Sequence, residues 1–247
     1  MNYGFNVKSE MLPAFGDLIG DKNPIHRRED IAVKAGFADT PVFAVMLQMM
    51  AEQCAHNSSI LRDGLYSNHS FRFIQPVYPD MHGEIKTEFG GQEVEGGDKT
   101  IRADIYSGTE LAVKSLATFS QKKLLNPNLP DVGKLEKACI DKSQEEILLN
   151  MIEDVGIEVN REGMPFMLPA SLFSSRLLKM GNEVGLKSGV YLRADFSFHK
   201  TPEAGEFDYG VKLLKQRGPL YKFSVACYQN RLPVVSGELL VNSLPEN

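Results

Sequence analysis

Two stretches of the chain are apolar on nearly every side, and each is followed by residues that alternate. From Val42 to Cys54 the apolar run is broken only by Gln48, Glu52 and Gln53. A helix that is apolar all round is a buried one. Its methionines, Met46, Met49 and Met50, read as flexible core filler. From Tyr66 the period drops to two, which predicts strands near Tyr66–Ile74, Gly83–Phe89, Thr100–Tyr106 and Leu111–Phe119. Pro76-Val77-Tyr78-Pro79, Gly90-Gly91, Gly96-Gly97 and Ser107-Gly108 supply the turns between them. The same order then recurs. Phe166 to Met180 predicts a second apolar helix, with Pro169 near its start. Strands follow near Val190–His199, Glu206–Lys215, Leu220–Tyr228 and Val234–Asn242.

The two copies echo each other residue by residue. Gly64, Tyr66, Phe71 and Phe73 correspond to Gly189, Tyr191, Phe196 and Phe198, every pair 125 apart. A repeat this long means two copies of one fold rather than a solenoid unit. Lys122 to Asp141 contains Asn126-Pro127-Asn128-Leu129-Pro130, shows little periodicity and reads as the connection. The expected organisation is therefore an α+β chain of two units, 1–122 and 143–247, joined by a linker at 123–142. Each unit is an antiparallel sheet wrapped around a buried helix, the hot-dog arrangement, so the whole is a double hot-dog. Shorter helices are expected from a Ser9 cap to about Ile19, over Ile31 to Ala35, and from a Ser143-x-x-Glu146 capping box to about Glu153. Thr40-Pro41 predicts the start of the first buried helix.

Composition narrows the partners. The 247 residues are 43% hydrophobic and 24% charged, with net charge −5. That is ordinary for a globular protein with a substantial core, and it disfavours nucleic acid or an anionic membrane as the main partner. Cys54, Cys139 and Cys227 have no metal-ligand spacing and form no self-contained disulfide set, which fits a reducing cytoplasm. No leader segment is read at Met1–Phe5, and no apolar run reaches the ~20 residues of a membrane span.

Gly20-Asp21-Lys22-Asn23-Pro24-Ile25-His26 gathers a carboxylate, a carboxamide and an imidazole within seven residues. Pro24 lacks an N–H and pushes Asn23 out of the helical region, while Asp21 and Asn23 favour turns. A rigid turn here could aim Asp21 and His26 at one point. With ordinary pKa values of about 4 and 6.5, such a pair can divide acid and base duties over one water. On spacing alone, an Asx-Pro turn with an idle histidine is the simpler reading. Other candidates are weaker. His56, His69, His82 and His199 share no spacing with an acid, and Ser115, Ser174 and Ser175 lack a nucleophile elbow. The glycine pairs at 90–97 lack the lysine of a phosphate cradle.

Phe15 to Met46 resembles the signature of the MaoC-like dehydratases, the (R)-specific enoyl-CoA hydratases. Gly20, Asp21, Asn23, Pro24, Ile25 and His26 match its core, as do Ala32, Ala35, Gly36, Phe37, Pro41, Val42 and Met46. The resemblance implies a hydro-lyase that reversibly hydrates trans-2-enoyl thioesters to (R)-3-hydroxyacyl thioesters, without metal or other cofactor. It implies that Asp21 and His26 hold the water, with Asn23 and Gly20 supporting the turn. The backbone N–H of Val45, beside Ala44, takes the family's oxyanion position. Two departures stand out. The family's His-Gly pair falls on Ala44-Val45, and the motif lies in the N-terminal copy, where family members often carry it in the C-terminal one. The implied substrate is an acyl-CoA, and Arg27-Arg28 could meet its phosphates. An acyl carrier protein is the alternative carrier. An acyl-CoA thioesterase using Glu52, and a non-catalytic acyl-thioester binder, are the further alternatives. A fused pair is complete as a monomer and could also form a homodimer.

Overall fold

The computed structural model describes residues 1–58, 65–89, 98–120, 129–161, 164–184, 186 and 189–244. The expected turn at 90–97, Gly64 of the repeat and residues 123–128 of the expected linker lie outside them. Among the described residues five α-helices form: α1 (Met11–Leu18), α2 (Glu29–Lys34), α3 (Ala44–Asn57), α4 (Lys142–Asp154) and α5 (Met167–Val184). They accompany ten strands: β1 (Asn2–Phe5), β2 (Leu65–Phe73), β3 (Gly83–Phe89), β4 (Lys99–Ser107), β5 (Glu110–Ser120), β6 (Glu136–Ile140), β7 (Gly189–Phe198), β8 (Gly205–Arg217), β9 (Leu220–Gln229) and β10 (Leu232–Ser243).

All ten strands join one antiparallel sheet in the order β1-β3-β4-β5-β2-β7-β10-β9-β8-β6. Read outward from the middle, the second five strands repeat the order of the first five with each number raised by five. The central pair is β2 with β7. Ser70 faces Asp195, His69 faces Phe196 and Phe71 faces Ala194. Each pairing maps onto itself or its neighbour under the 125-residue offset of the sequence echo. Helix α3 packs on β3, β4 and β5, α5 packs on β8, β9 and β10, and the two helices touch.

Burial explains α3. Every residue from Val45 to Ala55 is buried, and Met46 and Met50 are wholly so. Burying a side chain of that size stabilises by about 1.5–3 kcal/mol. Its polar residues are used to receive the second half of the chain. Gln53 Oε1 accepts from Asn160 N at 2.8 Å. The two oxygens of Glu52 accept from Phe166 N at 2.7 Å and Met167 N at 2.9 Å. These are the N–H groups of the first residue of α5 and of the residue before it, so a side chain from another helix caps its start.

Several boundaries differ from expectation. Residues 136–140 of the expected linker form β6, paired with β8 from Glu136↔Tyr209 to Ile140↔Gly205. This is a five-residue edge strand with charged positions, too short for its alternation to stand out. The capping box of α4 is Asp141 with Gln144, their bonds 2.8 and 3.0 Å, rather than Ser143 with Glu146. The chain leaves β6 at Ile140 and must turn at once, so the cap falls two residues early. Helix α1 starts after Glu10, one residue later than a Ser9 cap predicts, and Glu10 makes no side-chain cap; the Ser9 N–H donates to Asp80 Oδ2 at 3.3 Å. Helix α3 begins at Ala44 rather than at Thr40-Pro41. Val42 N donates to Val77 O at 2.8 Å, and the Pro41 carbonyl accepts from His26, so this segment is held extended.

Candidate active site

Helix α1 ends at Ile19, and Gly20 then takes a φ of 70°, a left-handed conformation that glycine adopts without strain. That reversal turns Asp21 inward, where its carboxylate is buried. Asp21 Oδ1 accepts from Asn23 N at 2.9 Å, closing an Asx turn. Asn23 Oδ1 accepts from Ile25 N at 3.3 Å and caps a single 3-10 turn, Pro24–His26, with the proline at its first position. Asn23 Nδ2 donates across the molecule to Gly189 O at the start of β7, 3.4 Å away. Arg27 braces the turn from outside, donating to Asp21 O at 3.2 Å and to Asp17 Oδ1 at 2.7 Å.

His26 stacks on Phe43, ring centroids 4.1 Å apart, and its Nδ1 lies 2.6 Å from Pro41 O. A carbonyl only accepts, so Nδ1 carries the proton. In the neutral ring, Nε2 is then left as the basic nitrogen. Burial pushes the His26 pKa down, against the opposing pull of the Asp21 charge and the Pro41 bond. Burial pushes the Asp21 pKa up, against His26, the Asn23 N–H and Arg27. The two groups are electrostatically linked and titrate as a pair.

Both line a cavity of about 190 Å³. Asn23, Ala44 and Val45 line it too, so five of the six expected site residues meet at one place. Gly20 lies behind them as the hinge of the turn. Helix α3 presents its start to this cavity. The first intrahelical bond runs from Leu47 N to Phe43 O, and the Phe43 side chain at the N-cap accepts nothing from Ala44, Val45 or Met46. Their N–H groups, at the positive end of the helix dipole, are suited to a developing negative charge.

The second half of the chain supplies the opposite wall, through Leu177 and Leu178 of α5, Leu192 of β7 and Val241 of β10. It also supplies a polar pair. Ser174 Oγ and Tyr191 Oη lie 2.8 Å apart. Burial and the charge of Asp21 both raise the Tyr191 phenol, which stays protonated. Sequence reasoning missed this pair: Tyr191 was visible only as a repeat echo and Ser174 only as a serine without an elbow.

Other titratable groups stand apart. His69 is enclosed, Nδ1 against Tyr66 Oη and Nε2 against Ser115 Oγ. A bulge in β2 between Tyr66 and Asn68 turns Tyr66 and His69 to the same face. Glu52 is occupied at the start of α5 and does not line the cavity. Among the described residues no group of three His, Cys, Asp or Glu could hold a metal, and no helix is long and apolar enough to cross a membrane.

No family model and no curated protein matches the sequence. Solved structures do match. A MaoC-like dehydratase aligns over 99% of this chain and 97% of its own, with 12% identity and a TM-score of 0.70. A protein from Chloroflexus aurantiacus described as a MaoC domain dehydratase aligns over 100% and 95%, with 11% identity and a TM-score of 0.73. An acyl-ACP thioesterase from Bacteroides thetaiotaomicron aligns over 98% and 97%, with 10% identity and a TM-score of 0.60. Over its whole length, then, this chain has the hot-dog fold of the MaoC-like dehydratases.

Proposed function

We propose that the protein reversibly hydrates trans-2-enoyl thioesters to (R)-3-hydroxyacyl thioesters, with acyl-CoA as the carrier. The supporting observation is that Asp21, the basic Nε2 of His26 and the uncapped start of α3 share one cavity. The thioester carbonyl lies against the Val45 N–H, and the enone carbons lie between it and the Asp21–His26 pair. One member of the pair takes a proton from water as the water oxygen bonds to C3. The C2=C3 electron pair moves toward the thioester, whose oxygen gathers charge against the helix start. The other member, which starts protonated, delivers its proton to C2 and is then reprotonated by the proton the first has taken. Water is consumed whole, and dehydration retraces the same path.

The same reading covers the architecture. The chain is a tandem of two hot-dog units, of which the N-terminal one carries the chemistry and the C-terminal one closes the cavity. The mirrored strand order and the 125-residue offset support this. The second unit extends back at least to Glu136, because β6 belongs to its half of the sheet.

The test is hydration of crotonyl-CoA and longer enoyl-CoAs, followed as loss of the enone absorbance. Asp21→Asn and His26→Ala each remove most of the activity. Variants that match the wild type refute the assignment. Turnover of carrier-protein substrates but not CoA substrates would move the carrier to an acyl carrier protein. Thioesterase activity, which the Bacteroides likeness raises, would release free thiol. The acid expected for it, Glu52, is engaged with α5, which weighs against that reading. Binding without turnover would make the protein an acyl-thioester binder, with the Val45 side chain as the obstruction.

A further inference from the structure

We infer that Tyr191, braced by Ser174, is a third polar contact of the reacting oxygen, contributed by the half of the chain that lacks the Asp-x-Asn-Pro-x-His turn. This rests on the hydration reading of the same cavity. Tyr191 lies on β7 two residues beyond Gly189, whose carbonyl accepts from Asn23 Nδ2. The strand that carries the phenol is thus tied to the turn that carries Asp21 and His26. Gly189 and Tyr191 both line the cavity.

A tyrosine and a serine hydroxyl each carry one proton, and the 2.8 Å bond between them uses one. With Ser174 as donor, the phenol proton is left to give. Among the described residues of this wall, the side chains of Leu177, Leu178, Leu192 and Val241 offer no acceptor. Asp21 is near enough that its charge acts on the phenol. Asp21, and a water held by Asp21, are acceptors for the remaining proton in the same cavity.

That proton completes the bonding of the water. A water that gives a hydrogen to the basic member of the Asp21–His26 pair, while the other member keeps its proton for C2, has two lone pairs. One must aim at C3, and the second takes the Tyr191 proton. In the reverse direction the same contact stabilises the departing hydroxyl. The equilibrium is unchanged, so Tyr191 speeds both directions equally. Ser174 acts only through Tyr191 and is a positioning residue.

The experiment compares Tyr191→Phe, Ser174→Ala and the double variant with wild type and Asp21→Asn, on crotonyl-CoA in the hydration direction and 3-hydroxybutyryl-CoA in reverse. A lost hydrogen bond to a reacting group predicts a kcat reduced roughly 10- to 100-fold for Tyr191→Phe, equally in both directions, with KM within about threefold. Ser174→Ala lowers kcat less, and the double variant matches Tyr191→Phe alone, since the serine has nothing left to act on. A Tyr191→Phe kcat within twofold of wild type, a loss confined to KM, or single losses that multiply in the double variant would overturn the inference while hydration stands. If Tyr191→Phe fails to fold, Ser174→Ala decides: an unchanged kcat overturns the inference and a lowered kcat with unchanged KM supports it. An inactive wild type overturns the hydration reading and this inference with it.

Discussion

Glu52 has no exposed surface, and its two oxygens accept from the Phe166 and Met167 N–H groups at the start of α5. Burial nevertheless raises its pKa from 4.5 to about 7, with the Met167 and Phe166 bonds opposing. A rise of that size penalises the ionised form in the folded state by roughly 3 kcal/mol. The sign follows from which state binds the proton more tightly. The folded protein does, so the favourable contribution is complete below about pH 4.5 and is lost as pH rises toward 7. Two titratable neighbours bear on the measurement. His56 Nε2 lies 3.8 Å from Glu52, and burial lowers its pKa to about 4. Its contribution runs the other way, present above 6.5 and lost as pH falls toward 4. Tyr66 feels the Glu52 charge but stays protonated throughout. Glu52→Gln keeps one acceptor, sets an amide NH2 against a backbone N–H and removes the titration. At pH 5 the variant is less stable by about 1–3 kcal/mol, the effect of one broken buried bond. Between pH 5 and pH 8 the wild type loses about 2–3 kcal/mol that the variant does not lose, so the two curves converge. Urea unfolding of both proteins at several pH values measures this, and the common His56 contribution cancels in the difference. A gap that stays constant from pH 5 to 8 refutes the claim that Glu52 holds α5 from a site that resists ionisation.

Val45→Gly removes a β-branched side chain from the thioester's approach and keeps the N–H. Steady-state kinetics should show a several-fold rise in kcat/KM, while stability falls by about 2–4 kcal/mol, because the burial of Val45 is lost and glycine is unfavourable in a helix. Asn23→Ala removes both the cap on Ile25 N and the bond to Gly189 O. Denaturation should register a loss of about 1–2 kcal/mol, and enoyl-CoA hydration a loss of at least tenfold as the turn loosens. Asp21→Asn deletes the negative charge that holds the His26 pKa up against burial. An NMR titration of the imidazole should therefore find His26 protonating at lower pH in the variant than in wild type, and an upward shift would contradict the pairing.

What was legible in the sequence is what neighbouring residues decide among themselves. The bend at 20–26 could be read because Asp21 bonds Asn23, Asn23 bonds Ile25 and Pro24 forbids a helix, all within five residues. The strands could be read because alternation is a local property, and the two copies could be aligned because both have Tyr and Phe at the same spacing; that β2 and β7 pair with each other could not be read. Helix boundaries failed where a distant partner claimed a backbone group. The Pro41 carbonyl would have accepted from Val45 N in a helix capped by Thr40. It accepts from His26 instead, which shortens α3, frees the Val45 N–H and assigns the His26 tautomer in one exchange. A proline that promised a helix start thus becomes the second-sphere acceptor that leaves Nε2 basic.

The same distinction explains why the second half looked chemically empty. Its contributions, the Gly189 carbonyl, Ser174 and Tyr191, lie 148 to 170 residues along the chain from Asp21 and His26 and share no motif with them. They reach the site because β2 and β7 pair at the centre of the sheet and because Glu52 fixes the start of α5 against α3. One of those links is a backbone carbonyl, which any residue provides. Another is a carboxylate that the buried-helix pattern marks only as an interruption. Pattern along the chain records which residues must be inside. It does not record which of the polar ones inside answer to a partner from the other half, and in this protein those answers decide both where α5 begins and what lines the cavity opposite the Asp21 turn.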